Sequence, residues 1–375
     1  MLFLLSCVAS AFLIAFIVMP VLINVLTRRQ ILDIGGRRKI HKGFVPSMGG
    51  IAIFIGFAFS TMVWMPYAEL AYYRYFCGAM LILFVTGMRD DLAPLSPRGK
   101  LVMQLMAAFL VAWGGGNDEG IRITSFYGFM GIHELPLVVS YLLSIFFIIV
   151  VTNAFNLIDG LDGLAGLIGL IAFTILAGWF LLVRDTHNHS WAMGLLLVGF
   201  IGGIVGFLCY NWHPASIFMG DTGSLLLGFV LSVGAIKFLQ LNGSESLISD
   251  LKLGAPLSMA AAIAFIPLFD TGRIFLLRIS QGRSPFSPDK LHVHHLLMRV
   301  GLKHSQVALI MGGAYLALVG VVFVLSHMLS DNLLIPILIA TGVGLHFLLS
   351  YVVDSVFDKR RDKVQDYVAA LNSGR

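Results

Sequence analysis

Charge is what this 375-residue sequence has least of: Asp, Glu, Lys and Arg together make up 12% of it. A soluble domain carries about a quarter charged residues, so this chain lacks the polar surface to face water on every side. Cysteine is scarce as well. Cys7, Cys77 and Cys209 all fall inside apolar runs with no CxxC spacing, which excludes a disulfide framework or a thiolate metal knuckle and leaves small buried side chains. No internal repeat and no low-complexity segment stands out, so a repeat architecture is excluded too. What fills the space is hydrocarbon. Residues AVILMFWYC account for 58% of positions, including 29 Phe and 16 Met, and mean hydropathy is +0.89. Lipid must be part of the solvent.

A bilayer core of about 30 Å needs about 20 apolar residues in a helix. Runs of that kind lie at 3–27, 48–67, 72–88, 101–115, 136–156, 163–183, 191–210, 222–240, 254–277, 306–327 and 332–353. The expectation is an all-α polytopic membrane protein of about eleven helices, a single domain over 1–353 with a basic tail at 354–375. The third and fourth runs are short, and Pro256 and Pro267 predict a bend in the ninth. The first run has no basic residues before it, is longer than a signal-peptide core, and ends in Arg28-Arg29, which reads as an uncleaved helix with its N-terminus outside.

Orientation follows from the cations. Alternation from a cytoplasmic 28–47 makes 89–100, 157–162, 211–221, 278–305 and the tail cytoplasmic as well. Only Arg74, Arg122, Arg184, Lys237 and Lys252 of the 25 Lys and Arg then fall outside, a strong positive-inside bias. The net charge of +5 is therefore mostly topology, with no nucleic-acid motif beside it. The basic, mildly amphipathic tail suits anionic lipid headgroups.

The acids are more informative. Asp33, Asp90, Asp91, Asp159, Asp162, Asp221, Asp270 and Asp289 fall at the cytoplasmic face. NAFNLIDGLDGLAG carries Asn153, Asn156, Asp159 and Asp162, and NWHPASIFMGDTGS carries Asn211 and Asp221. The loops 157–162 and 211–221 contain no Lys or Arg. Carboxylates at a bilayer boundary are costly unless paired, so a cation from outside the chain is expected. Oxygen-only ligands suit magnesium or manganese. Asn156, Asp159 and Asp162, at i, i+3 and i+6, share one side of a helix if the segment is helical, whereas Gly160 and Gly163 could open it into a turn. Asp162 could also be an N-cap of the next helix. Adjacent Asp90 and Asp91 repel, so one should have a raised pKa or bind a cation, and a raised carboxylate suits a general base. Gly220 and Gly223 flank Asp221 at a helix start whose N–H groups could face an anion.

Of the four histidines in DKLHVHHLLMRVGLKH, three crowd together. His292, His294 and His295 suggest contact with phosphate or a nucleotide base, with Arg273, Arg278, Arg283 and Lys290 near in sequence. Zinc is an option, but no cysteine accompanies them and the spacing matches no common zinc pattern. Lys42 in GGRRKIHKGFVPSMGG and Lys100 in SPRGK are candidate phosphate contacts or lipid anchors.

Taken together, HKGFVPSMGG, GMRDDLAPLSPRGKLVMQ, NAFNLIDGLDGLAG, NWHPASIFMGDTGSLLLG and SPDKLHVHHLL resemble the polyprenyl-phosphate N-acetylhexosamine-1-phosphate transferases, in that family's order from about residue 28 to 305. The resemblance implies transfer of a sugar phosphate from a UDP-sugar to undecaprenyl phosphate at the bacterial inner membrane, releasing UMP, with no nucleic-acid partner and with a homodimer left open. It implies that Asp221 and Asn156 ligate Mg²⁺ and that Asp90 and Asp91 activate or position the lipid phosphate. Asp159 would support the metal and diphosphate. Asp162, Asn211 and Phe218 would line the nucleotide pocket, and the histidines with Arg273 would hold the uridine diphosphate or sugar. The HVHH form resembles the branch that begins O-antigen, enterobacterial common antigen or teichoic acid linkage units, so UDP-N-acetylglucosamine is the favoured donor. A PxHHH-like form would instead indicate the phospho-MurNAc-pentapeptide transferase of peptidoglycan synthesis. A CDP-alcohol phosphotransferase is disfavoured because DGLAG lacks the arginine of DGxxAR, and a transporter because the acids sit at span ends. A glycosyltransferase that releases UDP is a further contrast.

The charge asymmetry predicts that Arg283→Cys reacts with a membrane-impermeant maleimide only in inside-out vesicles and Asn188→Cys only in right-side-out ones. Labelling of both from one side would reject the orientation.

Overall fold

The computed structural model describes residues 2–29, 45–116, 120–183, 189–243, 252–284 and 291–373, with side chains up to 356. The chain runs α1 (Leu2–Arg28), α2 (Gly50–Trp64), α3 (Tyr67–Tyr72), α4 (Arg74–Leu92) and α5 (Pro97–Trp113). A hairpin of β1 (Ser125–Phe129) and β2 (Ile132–Glu134) follows, then α6 (Leu137–Ile158), α7 (Leu164–Leu182), α8 (His189–Asn211) and α9 (Gly220–Gly243). The last third comprises α10 (Pro256–Ile263), α11 (Phe265–Ser280), α12 (Val293–Val300), α13 (His304–Leu325) and α14 (Asp331–Ser373).

Every apolar run of the sequence is helical, as it must be where no water can satisfy the backbone. Among the described residues, seven helices are long and apolar enough to cross a membrane: α1, α6, α7, α8, α9, α13 and the Asp331–Val356 part of α14. The pair α10–α11 qualifies as an eighth when taken together, bent by 75°. The bend anticipated from two prolines is present, and its break falls at Ala264. Pro256 opens α10 and Pro267 lies in the first turn of α11, where a missing N–H costs little. The remaining runs give α2, of 15 residues, α4, with its charged C-terminal end, and α5, of 17 residues.

A short two-stranded hairpin interrupts an otherwise helical polytopic fold. Ser125 pairs with Glu134 and Phe129 with Ile132 across a tight antiparallel turn. TSFYGFMGIHE is too short and too glycine-rich to cross a membrane, and its strands satisfy each other's backbone instead.

Helix α9 is the axis. Nearly all its residues are buried, whereas α1 and α14 expose wide apolar faces, including Val21 and Phe347, that suit lipid. The N-terminal end of α9 is wedged between α2 and α4 by glycines, which let helix backbones approach closely. A Cβ on Gly87 of α4 would lie 2.6 Å from the Asp221 carbonyl oxygen, and one on Gly50 of α2 would lie 2.1 Å from the Gly223 nitrogen. Gly87→Ala is therefore expected to destabilise the fold by about 1–3 kcal/mol through overpacking. Thermal unfolding in detergent measures this, and an unchanged melting temperature would show that the approach can relax.

Candidate active site

The first fixed point is the N-terminus of α9. Its opening N–H groups need acceptors, and a carboxylate from another helix supplies them. Asp91 Oδ1 accepts from Asp221 N–H at 2.8 Å; Asp91 Oδ2 accepts from Thr222 N–H at 2.9 Å and from Thr222 Oγ1 at 2.5 Å. Gly220 enters this turn with φ +72°, and a Cβ there would sit 2.7 Å from Asp91 Oδ2, so glycine is required twice over. Burial pushes the Asp91 carboxyl, which lies beyond the apolar run of α4, up to about 6 against the pull of those bonds. The anion expected at this helix start is thus the protein's own. The approach to the turn is held by backbone pairing: Phe218 N–H donates to Pro46 O at 2.8 Å, Gly49 N–H to Phe218 O at 2.8 Å, and Gly50 N–H to Met219 O at 3.0 Å.

With α9 so placed, Asp221 turns its carboxylate towards three neighbours. Lys100 Nζ donates to Asp221 Oδ2 and, at 3.2 Å, to Asp90 Oδ2. Asn156 Nδ2 donates to Asp221 Oδ1 at 2.6 Å and to Ser224 Oγ at 2.7 Å. Asp90 Oδ1 accepts from Leu95 N–H at 2.6 Å, which aims its other oxygen at the lysine. Ser96 caps α5 by accepting from Gly99 N–H at 3.1 Å, and that start fixes Lys100 one turn in. Two carboxylates thus share the Lys100 ammonium, with the Asn156 amide and the Ser224 hydroxyl beside Asp221. These ligand types fit a hard divalent cation such as magnesium once the Asn156 amide turns its oxygen to the ion.

Beside this cluster the chain turns sharply. Helix α6 stops at Ile158, Asp159 forms its C-cap, and Gly163 opens α7 with φ +77°. The turn reading of the two glycines is the one observed, so Asn156, Asp159 and Asp162 do not share a helix face. Nor does Asp162 cap α7, whose N-cap is Gly163. Its Oδ2 instead faces His213 Nδ1 at 2.7 Å, His304 Nδ1 at 3.3 Å and Ala215 N–H at 3.3 Å. Burial would raise this carboxyl, but the two histidines and the Ala215 amide outweigh it and hold it at about 2. Asn211 ties the same turns together, accepting from Gly163 N–H at 2.9 Å and donating to Ile217 O at 2.8 Å.

The histidine motif divides its work. His292 Nδ1 lies 2.8 Å from Asp270 Oδ2, and Val293 N–H donates to Asp270 Oδ1 at 2.9 Å. Arg273 donates to the Leu291 carbonyl and, at 3.4 Å, to Asp270. His292 and Arg273 are thus bound up in anchoring α12 to α11. His294 is 1% exposed, with neither ring nitrogen hydrogen-bonded, and a Cβ on Gly160 would lie 2.8 Å from its Nε2. Burial and the adjacent His295 lower it to about 3, so it is neutral. The His294 and His295 rings lie 4.3 Å apart between centroids. Lys42, Lys290, Asp33 and Asp289 lie outside the described residues.

The sequence profile described as glycosyl transferase family 4 matches residues 73–239, from the start of α4 to near the end of α9. A Bacillus subtilis protein named probable undecaprenyl-phosphate N-acetylglucosaminyl 1-phosphate transferase is 33% identical over 83% of this chain and 80% of its own. The chain belongs to glycosyl transferase family 4. Two further relatives are similar over most of their length. The undecaprenyl-phosphate alpha-N-acetylglucosaminyl 1-phosphate transferase of Escherichia coli is 28% identical over 88% of this chain and 84% of its own. A Mycobacterium tuberculosis decaprenyl-phosphate N-acetylglucosaminephosphotransferase is 31% identical over 73% of this chain and 70% of its own.

In this family 4 chain the structure brings Asp90, Asp91, Lys100, Asn156 and Asp221 into one cluster, with Asp159, Asp162 and Asn211 on the adjoining turn and the histidines against it. His213, His304 and Ser224 are neighbours that the sequence reading did not single out. Ser224 could have been found one turn after Asp221; the histidines' common partner is visible only in three dimensions. Asp91→Ala removes three acceptor bonds from α9 and is expected to cost roughly 2 kcal/mol of stability. Thermal unfolding of the purified protein checks this, and an unaltered melting point would mean water serves the helix end equally well.

Proposed function

We propose that this chain transfers N-acetylglucosamine 1-phosphate from UDP-N-acetylglucosamine to undecaprenyl phosphate, releasing UMP and beginning a cell-surface glycopolymer. The relatives' names support the transferred group and the polyprenyl phosphate acceptor, and the UDP donor and UMP product are inferred from the sequence motifs. The observation that carries it is the Asp90–Lys100–Asp221–Asn156 cluster at one end of an apolar bundle. A water-soluble dianion and a lipid phosphate can meet only at such a boundary. Eleven crossings, with the N-terminus outside and the C-terminus cytoplasmic, would put this end at the inner face of the bacterial inner membrane, as the cation count favours.

The exchange replaces one phosphoanhydride by another, so catalysis consists mainly of charge neutralisation and in-line positioning. A magnesium ion, or manganese in its place, would be held by Asp221 and Asn156 and would neutralise the donor diphosphate. Lys100 is the cationic side chain within reach of the same phosphates, with Lys42 a second candidate. Asp90 has the more open carboxylate of the adjacent pair and is assigned to orient the lipid phosphate or take its proton. Asp91 acts by holding α9. Asp159 supports the diphosphate from the turn, while Asp162, Asn211 and Phe218 shape the nucleotide side. His295 is assigned to the sugar or uridine diphosphate, with the buried His294 ring beside it and His292 and Arg273 positioning the motif. We assign direct attack by the lipid phosphate oxygen on the donor's β-phosphorus. In a covalent alternative the nucleophile would be Asp90, since Asp91 is engaged with the helix end.

Purified protein supplied with UDP-N-acetylglucosamine, undecaprenyl phosphate and Mg²⁺ is expected to release UMP and form a lipid-linked sugar. Release of UDP, or no lipid product, would remove this reading. Asp221→Asn should lower turnover by roughly 10³-fold or more, on the scale of losing a main electrostatic contact, while the protein still inserts and melts as before. Near-normal turnover would remove Asp221 from the metal site.

A further inference from the structure

One cluster of ligating side chains joins Asp162, placed above on the nucleotide side, to two histidines that the chemistry above gives no role. Asp162, His213 and His304 come from three separate segments: the turn between α6 and α7, the loop between α8 and α9, and the first residue of α13. Both imidazoles present Nδ1 to the same carboxylate oxygen, at 2.7 and 3.3 Å, and the three ligand atoms lie within 4.8 Å of one another. We propose that these three residues form a zinc site that clasps the three segments together beside the reaction centre.

The donor set argues for the metal. Two nitrogens and one carboxylate oxygen are soft enough for zinc and poorly suited to magnesium, which takes oxygen. Tetrahedral zinc with bonds of about 2.0–2.1 Å separates its ligand atoms by about 3.3 Å. One observed separation falls short of that value and one matches it, and all three ligand atoms lie within 4.8 Å of one another, so small side-chain rotations open the triad around an ion. Access is graded as a metal site needs. The carboxylate is buried, while the His213 side chain is 33% exposed and that of His304 is 16% exposed, which leaves an entry path and a fourth position for water or substrate. Among the described residues the Asp162 carboxyl meets its two imidazoles and the Ala215 amide and no Lys or Arg, so a divalent ion would neutralise a charge otherwise met there by histidine. The HVHH run, the obvious zinc candidate by sequence, is committed elsewhere: His292 to Asp270 and His294 to packing on Gly160. The ligands observed together lie too far apart in sequence to form a recognisable motif.

The test uses the full-length chain with an affinity tag free of histidine, purified in detergent, stripped with EDTA and dialysed against Zn²⁺ with excess Mg²⁺ present. Mass spectrometry of the metal content is expected to give one zinc per chain, and Co²⁺ in its place should give the visible bands of tetrahedral cobalt. His213→Ala and His304→Ala should each lose the zinc and the cobalt bands, and His327→Ala should keep both. Thermal unfolding separates ligand loss from misfolding, since each variant should melt like the EDTA-stripped parent. A parent that retains no zinc and shows only octahedral cobalt would overturn the proposal, as would zinc retained by the His213→Ala/His304→Ala double variant. The cobalt spectrum needs no substitution and no turnover, so it can fail while UMP release succeeds, and the reverse.

Discussion

The site depends on one carboxylate standing where a helix begins. Asp91 takes the first N–H groups of α9, and that contact fixes the height and rotation of the helix that carries Asp221 and Ser224. The glycines at 87, 50 and 220 serve the same contact by removing every Cβ that would hold α4 or α2 away from α9. Burying a carboxylate is costly, and here the cost is met by three donors and a helix dipole. The function of the adjacent Asp90 rests on this division of labour. One aspartate of the pair builds the scaffold, which leaves its neighbour's second oxygen to face the lysine.

The same logic repeats around the end of the bundle. Asp162 is met by two histidines and an amide, and Asp270 by a histidine, an arginine and an amide. Each such acid joins elements distant in sequence. Asp162 joins the α6–α7 turn to α8–α9 and α13; Asp270 joins α11 to α12. Acids at a membrane boundary are thus structural joints as well as chemistry. The cluster at Asp90 and Asp221 differs because its two carboxylates share a single ammonium group.

Much of this was legible in the sequence. Apolar runs gave helices because the bilayer leaves the backbone no other partner, and two prolines announced the break between α10 and α11. Acidic loops without cations marked the end of the bundle where Asp90, Asn156 and Asp221 come together. What escaped were relations that depend on distance in space. Asn156, Asp159 and Asp162 have helical spacing, yet Gly163 in the left-handed region ends that reading, and nothing local distinguishes a glycine that turns from one that packs. The partnership of Asp162 with His213 and His304 spans the chain. Arg273 reads as a ligand contact in a basic stretch but is turned inward to the Leu291 carbonyl. The β hairpin lacks the alternation that would announce a strand.

The shared ammonium of Lys100 has a consequence for how closely two acids can stand. Asp90 and Asp221 come from different helices and face one another without meeting as bare like charges, because a single ammonium lies against an oxygen of each. Under the reaction proposed above, an arriving cation would have to displace a charge of its own sign, so its net attraction would be the difference between two favourable states.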